Sequence, residues 1–337
     1  SHANVASSDG DLDPSSPFTY KVLPDGLMKI FVDPQNQQIY FPGAASPDAN
    51  YFAISLIDPG DPGIGFGIKY PDAAPAAAAR TYWAVQYANR VDNPGPSQTS
   101  APVAMLMNII LNADGTGYHS DIKRSDCADG PDACSEQELE EGPFTYEIND
   151  TPSNGNLTIS FEIPGEGTFN LTGIVSQDGT VFTVPFIDPS EPGLMVGIQK
   201  PAGDFSMDKA KGKYYLAQTD DSLGSCEVPE IEGTWPWAGL AEIVLDGQGN
   251  GTFKDRYSTD MDDPDFPESG TFTYTVNANG ELTIYPPEGG ASIPGIISAD
   301  GSLFVMANID PCYPGIAIGI KASPAAVTAP SMLLLGD

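Results

Sequence analysis

The sequence predicts an all-β protein of tandem antiparallel meander units, and three observations predict it. A block of residues recurs three times along the chain. The runs within each block alternate apolar and polar side chains with a period of two, the pattern of half-buried strands. The composition, 36 glycines, 32 prolines and 31 aspartates in 337 residues, belongs to turns rather than helices. Apolar residues still make up 40% of the chain, enough for packed cores and too many for a disordered polypeptide.

The recurring block opens on Phe18-Thr19-Tyr20, Phe144-Thr145-Tyr146 and Phe272-Thr273-Tyr274, spaced 126 and then 128 positions apart. It continues through Gly43-Ala44-Ala45-Ser46-Pro47-Asp48, Gly173-Ile174-Val175-Ser176-Gln177-Asp178 and Gly295-Ile296-Ile297-Ser298-Ala299-Asp300. It closes on Ile57-Asp58-Pro59, Ile187-Asp188-Pro189 and Ile309-Asp310-Pro311, each followed by a Pro-Gly and an apolar run. Between the blocks, Tyr82-Trp83-Ala84-Val85-Gln86 parallels Tyr214-Tyr215-Leu216-Ala217-Gln218. A full unit is therefore about 115 to 125 residues long, and the first copy has only its second half. The organisation reads as an N-terminal tail (1–16), a half unit (17–71), a linker (72–79), a complete unit (80–200), a linker (201–211), a complete unit (212–322) and a C-terminal tail (323–337).

Within a unit the elements are strands and hairpins. Phe272, Tyr274 and Val276 alternate with Thr273 and Thr275, and Asn279-Gly280 then introduces Leu282 and Ile284. Asn-Gly and Asp-Gly suit tight hairpin turns because φ is positive there; they recur at Asp25-Gly26, Asp114-Gly115, Asp178-Gly179, Asp246-Gly247 and Asp300-Gly301. Counted this way, a complete unit holds about eight strands and the half unit about five. Helical periodicity is absent at useful length; Ala73–Ala79 is broken by Pro75 and reads as linker.

Eight meandering strands is the count of a small closed barrel, the solution that removes sheet edges by closure. Each complete unit opens on an aromatic pair, and Gly212 before Tyr214-Tyr215 resembles the Gly-x-Trp opening of lipocalins. With its Asp-Gly hairpins, the layout resembles secreted bacterial tandem β-repeat proteins with calycin-like or avidin-like units. That resemblance implies architecture and an extracellular location, not an activity. The alternative fold is a β-propeller of about five blades, since half units of about 45 to 60 residues could each supply three or four strands.

The formal charge of −32 excludes nucleic acid and anionic membrane surfaces as partners, because both require clustered cations. No stretch reaches the ~18 apolar residues that span a bilayer. The chain begins at Ser1 without a methionine, as a processed or trimmed chain does. Four cysteines without a C-x-x-C disfavour zinc and thioredoxin chemistry and favour two disulfides. The Gly-Pro turn between Cys127 and Cys134 pairs these two and leaves Cys226 with Cys312. Such pairs place the protein outside the cell or on its surface, with the periplasm as the alternative.

Candidate sites are few. The repeated Asp58, Asp188 and Asp310 could serve glycoside hydrolysis if a propeller brought them together, but a motif that recurs with the unit reads first as a Pro-braced turn. Asp260, Asp262, Asp263 and Asp265, with Glu268 nearby, and the one-three-five spacing of Asp9, Asp11 and Asp13, offer hard oxygen ligands for Ca²⁺. His119 reads as a surface strand residue without triad partners. Trp235-Pro236-Trp237 reads as core if buried and as a carbohydrate or protein platform if exposed. The tail ending Met332-Leu333-Leu334-Leu335 is an assembly candidate, because five strands cannot close a barrel and an open edge invites pairing.

Three functions follow. The first is a non-enzymatic, secreted or surface structural protein that self-assembles into a filament or layer by strand or tail exchange, with itself as partner and Ca²⁺ as its one expected cofactor. The second is an extracellular ligand- or carbohydrate-binding module. The third is a propeller glycosidase.

Overall fold

The computed structural model describes residues 19–31, 40–58, 61–69, 71, 75, 79–92, 99–125, 140–149, 155–163, 167–187, 192–223, 234–259, 268–287 and 290–322. The first unit is β1 (Thr19–Val22), β2 (Leu27–Phe31), β3 (Phe41–Ala45), β4 (Tyr51–Asp58) and β5 (Asp61–Ile68). The second runs β6 (Arg80–Asp92), β7 (Thr99–Leu111), β8 (Thr116–Arg124), β9 (Glu141–Ile148), β10 (Asn156–Ile163), β11 (Gly167–Val175), β12 (Val181–Phe186) and β13 (Gly193–Gln199). A four-residue helix, α1 (Met207–Ala210), leads into the third. That unit is β14 (Gly212–Leu223), β15 (Thr234–Leu245), β16 (Asn250–Ser258), β17 (Ser269–Val276), β18 (Glu281–Tyr285), β19 (Ile293–Ile297), β20 (Leu303–Asn308) and β21 (Gly315–Lys321).

The second and third units are closed eight-strand antiparallel barrels, and the first is an open sheet of five strands in the order β1-β2-β3-β4-β5. Each barrel closes when its last strand pairs with its own first strand: Val196 lies opposite Val85, and Ile318 opposite Ala217. Closure within a unit overturns the five-blade propeller, in which half units would have to radiate from a shared axis.

The barrels are filled by the residues the alternation places inside. Tyr82, Leu157, Ile159, Phe182 and Val184 line one core, and Tyr214, Leu282, Ile284, Phe304 and Met306 occupy the same places in the other. Phe182 and Phe304 are both 0% exposed. Each ring lies flat across the strand pair over a glycine, Gly197 or Gly319, where a Cβ would run into it. Glycine weakens a strand by roughly 0.5–1 kcal/mol, and an aromatic ring laid over the gap offsets this by burial.

One turn is built three times. Ser46, Ser176 and Ser298 each donate from Oγ to an aspartate two residues on, at 2.6, 2.7 and 2.6 Å. Those aspartates accept from the backbone N–H groups of Asn50, Thr180 and Ser302. The serines in turn accept from the N–H groups of Tyr51, Val181 and Leu303. The following residue is left-handed in all three, Gly179 and Gly301 at φ 68° and 70°, but Ala49 at φ 54° in the first unit.

The outer faces of the three units are also apolar, and they meet in one core. Tyr51, Ala53 and Ile68 of the first unit, Trp83, Val196 and Ile198 of the second, and Leu240, Val305 and Ile318 of the third pack together there. Strands covered on both faces read as unbroken apolar runs, as in Leu303-Phe304-Val305-Met306-Ala307, all buried. Lys200 adds an ion pair to Glu281 at 3.6 Å between the two barrels.

Candidate functional site

The unclosed first unit is the part of the fold that the other two units do not explain. Its outer face is committed to the protein. Ser55 donates from Oγ to the Gly239 carbonyl of β15 at 2.6 Å in a buried contact. The Tyr215 hydroxyl donates to Asp25 in the β1–β2 turn, and Lys213 lies 3.8 Å from the same carboxylate. Burial opposes ionisation of Asp25, but the Tyr215 hydroxyl, the Leu27 N–H and Lys213 outweigh it and hold the carboxyl below its ordinary range. Lys29 stands over the Tyr40 ring at 3.8 Å, and Tyr40 meets Tyr257 of β16 edge-on.

The inner face is different. Met28, Ile30 and Ala45 form a small cluster with Tyr20, Val22, Phe52 and Ile54 packed against it. The registers match the barrels: Tyr20 opposes Ile30 as Tyr146 opposes Ile159 and Tyr274 opposes Ile284. Phe52 stands where Phe182 and Phe304 stand, with Gly67 beneath its ring. These are barrel-lining residues on a sheet that has not closed, and Phe52 and Ile54 are half-buried where their counterparts are fully enclosed. Among the described residues, β1 and β5 each pair along one edge only.

Two hydrogen bonds present in both barrels have no counterpart here. Each barrel's first strand supplies a tyrosine that caps the Ser-Asp turn: the Tyr82 hydroxyl donates to Gly179 O at 2.6 Å and Tyr214 to Gly301 O at 2.8 Å. The turn between the second and third strands takes a second tyrosine. Tyr146 donates to Asn112 O, and the Tyr274 hydroxyl accepts from Gly247 N–H at 2.8 Å. Among the described residues of the first unit, no tyrosine reaches Ala49 O and none supplies a hydrogen-bond partner to the Tyr20 hydroxyl. The sequence marks these tyrosines as repeat residues but not as caps, since the turn groups they reach lie 27 to 97 residues away.

The other sequence-derived sites fall as follows. Asp310 belongs to a turn: its carboxylate accepts from Cys312 N–H at 2.9 Å, and its carbonyl from Tyr313 N–H at 3.1 Å. Asp58 ends β4 of a different unit, and Asp188 lies outside the described residues. Cys312 is disulfide-bonded, while Cys127, Cys134 and Cys226 lie outside the described residues, as do Asp9, Asp11, Asp13, Asp260, Asp262, Asp263, Asp265 and the tail Met332-Leu333-Leu334-Leu335. No group of three or more metal-ligating side chains occurs among the described residues.

His119 is half-buried rather than on the surface. Its ring packs edge-on against Phe161 at 5.5 Å, inside the rim of the second unit, because position 119 shares the inward parity of Gly117. Trp235 and Trp237 sit at the rim of the third unit. Trp237 donates from Nε1 to Ser258 Oγ at 2.8 Å, whereas Trp235 is 46% exposed.

Among the described residues, side chains fill both barrel interiors. A cavity of about 10 Å³ between Arg80, Tyr82 and Tyr146 has room for at most one water. A larger space of about 460 Å³ beside Arg80, Ile110, Lys200 and Asn279 is an open cleft.

The fold thus defines a tandem β-barrel protein with an unclosed additional unit. No protein-family model matches the chain, and no curated protein matches it in sequence. Solved structures that overlap it include intact TbpB with N and C lobes, at a TM-score of 0.28 and 9% identity over 95% of this chain and 98% of that one. Transferrin binding protein B of Haemophilus parasuis gives 0.27 and 8% over 90% and 85%; that of Neisseria meningitidis gives 0.27 and 9% over 91% and 86%. Likeness at this level assigns neither family nor activity.

Proposed function

We propose that this chain is a non-enzymatic structural protein of the extracellular space or cell surface, built of repeated β-domains, that assembles through its unclosed first unit. One observation carries the reading: the inner face of β1–β5 presents barrel-core residues, Tyr20, Phe52 and Ile54 among them, on a sheet with two edges unpaired among the described residues. An open edge beside an apolar face is a template for strand addition. The filled barrels support a scaffold rather than a carrier of small ligands. The disulfide at Cys312 suits an oxidising compartment.

Light scattering and electron micrographs of the purified chain test this. Expected are particles larger than one chain that grow with added salt or Ca²⁺, because neighbours of charge −32 repel over a screening length of ~8–10 Å. A 35.5 kDa particle at every salt and protein concentration overturns it. Removing residues 323–337 asks whether the Met332–Leu335 tail is the exchanged strand.

A second reading, carbohydrate binding, is favoured by the rim of the third unit. Trp235 lies opposite Ser222, and the exposed Tyr313 flanks the same end through the bond from Asp221 N–H to Pro314 O. Two exposed aromatics at one rim suit the faces of sugar rings. Tryptophan fluorescence titrated with soluble polysaccharides tests it, with Trp235→Ala as the control.

A further inference from the structure

We infer that the first unit is closed by a three-stranded antiparallel segment of the β6–β8 type from outside residues 1–337, which turns the five strands into a third eight-strand barrel. This rests on the reading of the first unit as an attachment face and names what attaches there.

Strand number gives the first argument. β1–β5 correspond to β9–β13 and to β17–β21, and in both barrels the three remaining strands complete the ring. The edges are the right ones. β13 pairs with β6 and β8 with β9, and the equivalent edges of β5 and β1 are unpaired among the described residues.

The second argument is the pair of missing caps. Ala49 O stands where the carbonyls of Gly179 and Gly301 accept from a first-strand tyrosine. Tyr20 stands where Tyr146 and Tyr274 hold the turn between the second and third strands. Both absences point to the same three strands. One added strand, such as a tail, could supply the tyrosine or the turn but not both.

The third argument is charge. Residues 17–71 hold three lysines against five aspartates, a net −2 out of the chain's −32. The two barrel units, residues 80–200 and 212–322, carry −25 of the remaining −30, so the first unit repels another acidic β-repeat segment less than either barrel does.

The chain provides its own probe: a second copy of residues 80–143 placed directly ahead of Phe18, which repeats the natural connection from β8 into β9. Hydrogen exchange at the backbone amides of β1 and β5 is the readout. In the fused chain these amides are expected to exchange at least tenfold more slowly than in the unfused chain, and fluorescence of a dye that binds exposed apolar surface is expected to fall. Tyr20→Phe should be silent in the unfused chain and should speed exchange in the fused one, a change that simple steric shielding by the fusion does not produce.

Unchanged exchange at β1 and β5, with β6–β21 still protected in the fused chain, overturns the inference. So does slow exchange in the unfused chain that is lost on removing residues 323–337, which makes the tail the occupant, or that appears only at high concentration alongside a dimer, which makes it a second copy's open face. Failure of self-assembly is read separately, by light scattering of the unfused chain: a permanent monomer whose fusion closes overturns the assembly reading and leaves this one standing.

Discussion

The ring of Phe52 covers Gly67 across the β4–β5 pair, as Phe182 covers Gly197 and Phe304 covers Gly319, yet only the last two rings are sealed inside a barrel. The same cross-strand pair therefore occurs once in an open environment and twice in a closed one. Alanine at Gly197 or Gly319 forces a methyl into a ring that has nowhere to go and should cost about 1–3 kcal/mol. At Gly67 the Phe52 ring can swing towards the open side, and the cost should be under half as much. Thermal unfolding of the three single variants checks this, and equal losses at all three sites would show that the first unit is as closed as the barrels.

Ala49 is the only non-glycine described residue with positive φ, at 54°. Ala49→Gly should raise stability by roughly 0.5–1 kcal/mol, the left-handed penalty less the extra chain entropy of glycine. The reciprocal Gly301→Ala should destabilise by more, since its Cβ would also run into the Lys209 carbonyl. Denaturant midpoints of both variants decide the sign.

The tyrosine caps should separate by unit. Tyr214→Phe removes the one buried O–H that Gly301 O and Ala210 O share and should cost about 1–3 kcal/mol. Tyr20→Phe should change unfolding by less than about 0.5 kcal/mol in the isolated chain, the size expected of a surface change that breaks no contact. A loss at Tyr20 as large as at Tyr214 would mean that its hydroxyl already has a partner.

Stability should peak in mild acid. Burial, then the nearby Glu268, pushes Asp255 up to about 6, and burial raises Asp121 and the fully enclosed Asp221. Between the unfolded value near ~3.9 and these raised values the folded state binds more protons than the unfolded one, so stability falls as pH rises through that window. Asp178 and Asp300 are held low, because their serine and backbone donors outweigh the burial that opposes ionisation. Their contribution is present above about 3.9 and lost as pH falls through their folded values. Melting temperature should therefore be highest near about pH 4 and decline towards about pH 6. Asp255→Asn should flatten that decline by on the order of 1 kcal/mol, allowing for the solvent that reaches this half-buried group. A melting temperature that rises steadily from pH 5 to 8 would contradict the assignment.

Calcium remains a proposal resting on the acidic segment that includes Asp260, Asp262, Asp263 and Asp265. A specific site stabilises by mass action, so a few degrees of added melting temperature at millimolar Ca²⁺, removed by a chelator, is the expected result. No shift would remove Ca²⁺ from the picture.

Much of this architecture is written along the chain. The recurrence of Phe-Thr-Tyr and of Ile-Asp-Pro, the two-residue alternation and the Asp-Gly turns lead to two eight-strand units and one of five, and the strands lie there. Alternation fixes which residues share a face, because successive side chains of a strand must point opposite ways. It does not say what covers either face. Tyr82 and Trp83 are adjacent, yet one caps a turn inside a barrel and the other joins the core between units. Closure is likewise undetermined by local pattern, since barrel and propeller share the same hairpins and differ only in whether β13 finds β6 and β21 finds β14, whose paired residues lie 95 to 117 positions apart. Alternation and turn residues dictate the strands, their turns and the five-strand length of the first unit. That its outer face is buried and its inner face left open follows from contacts between units, which no local pattern encodes.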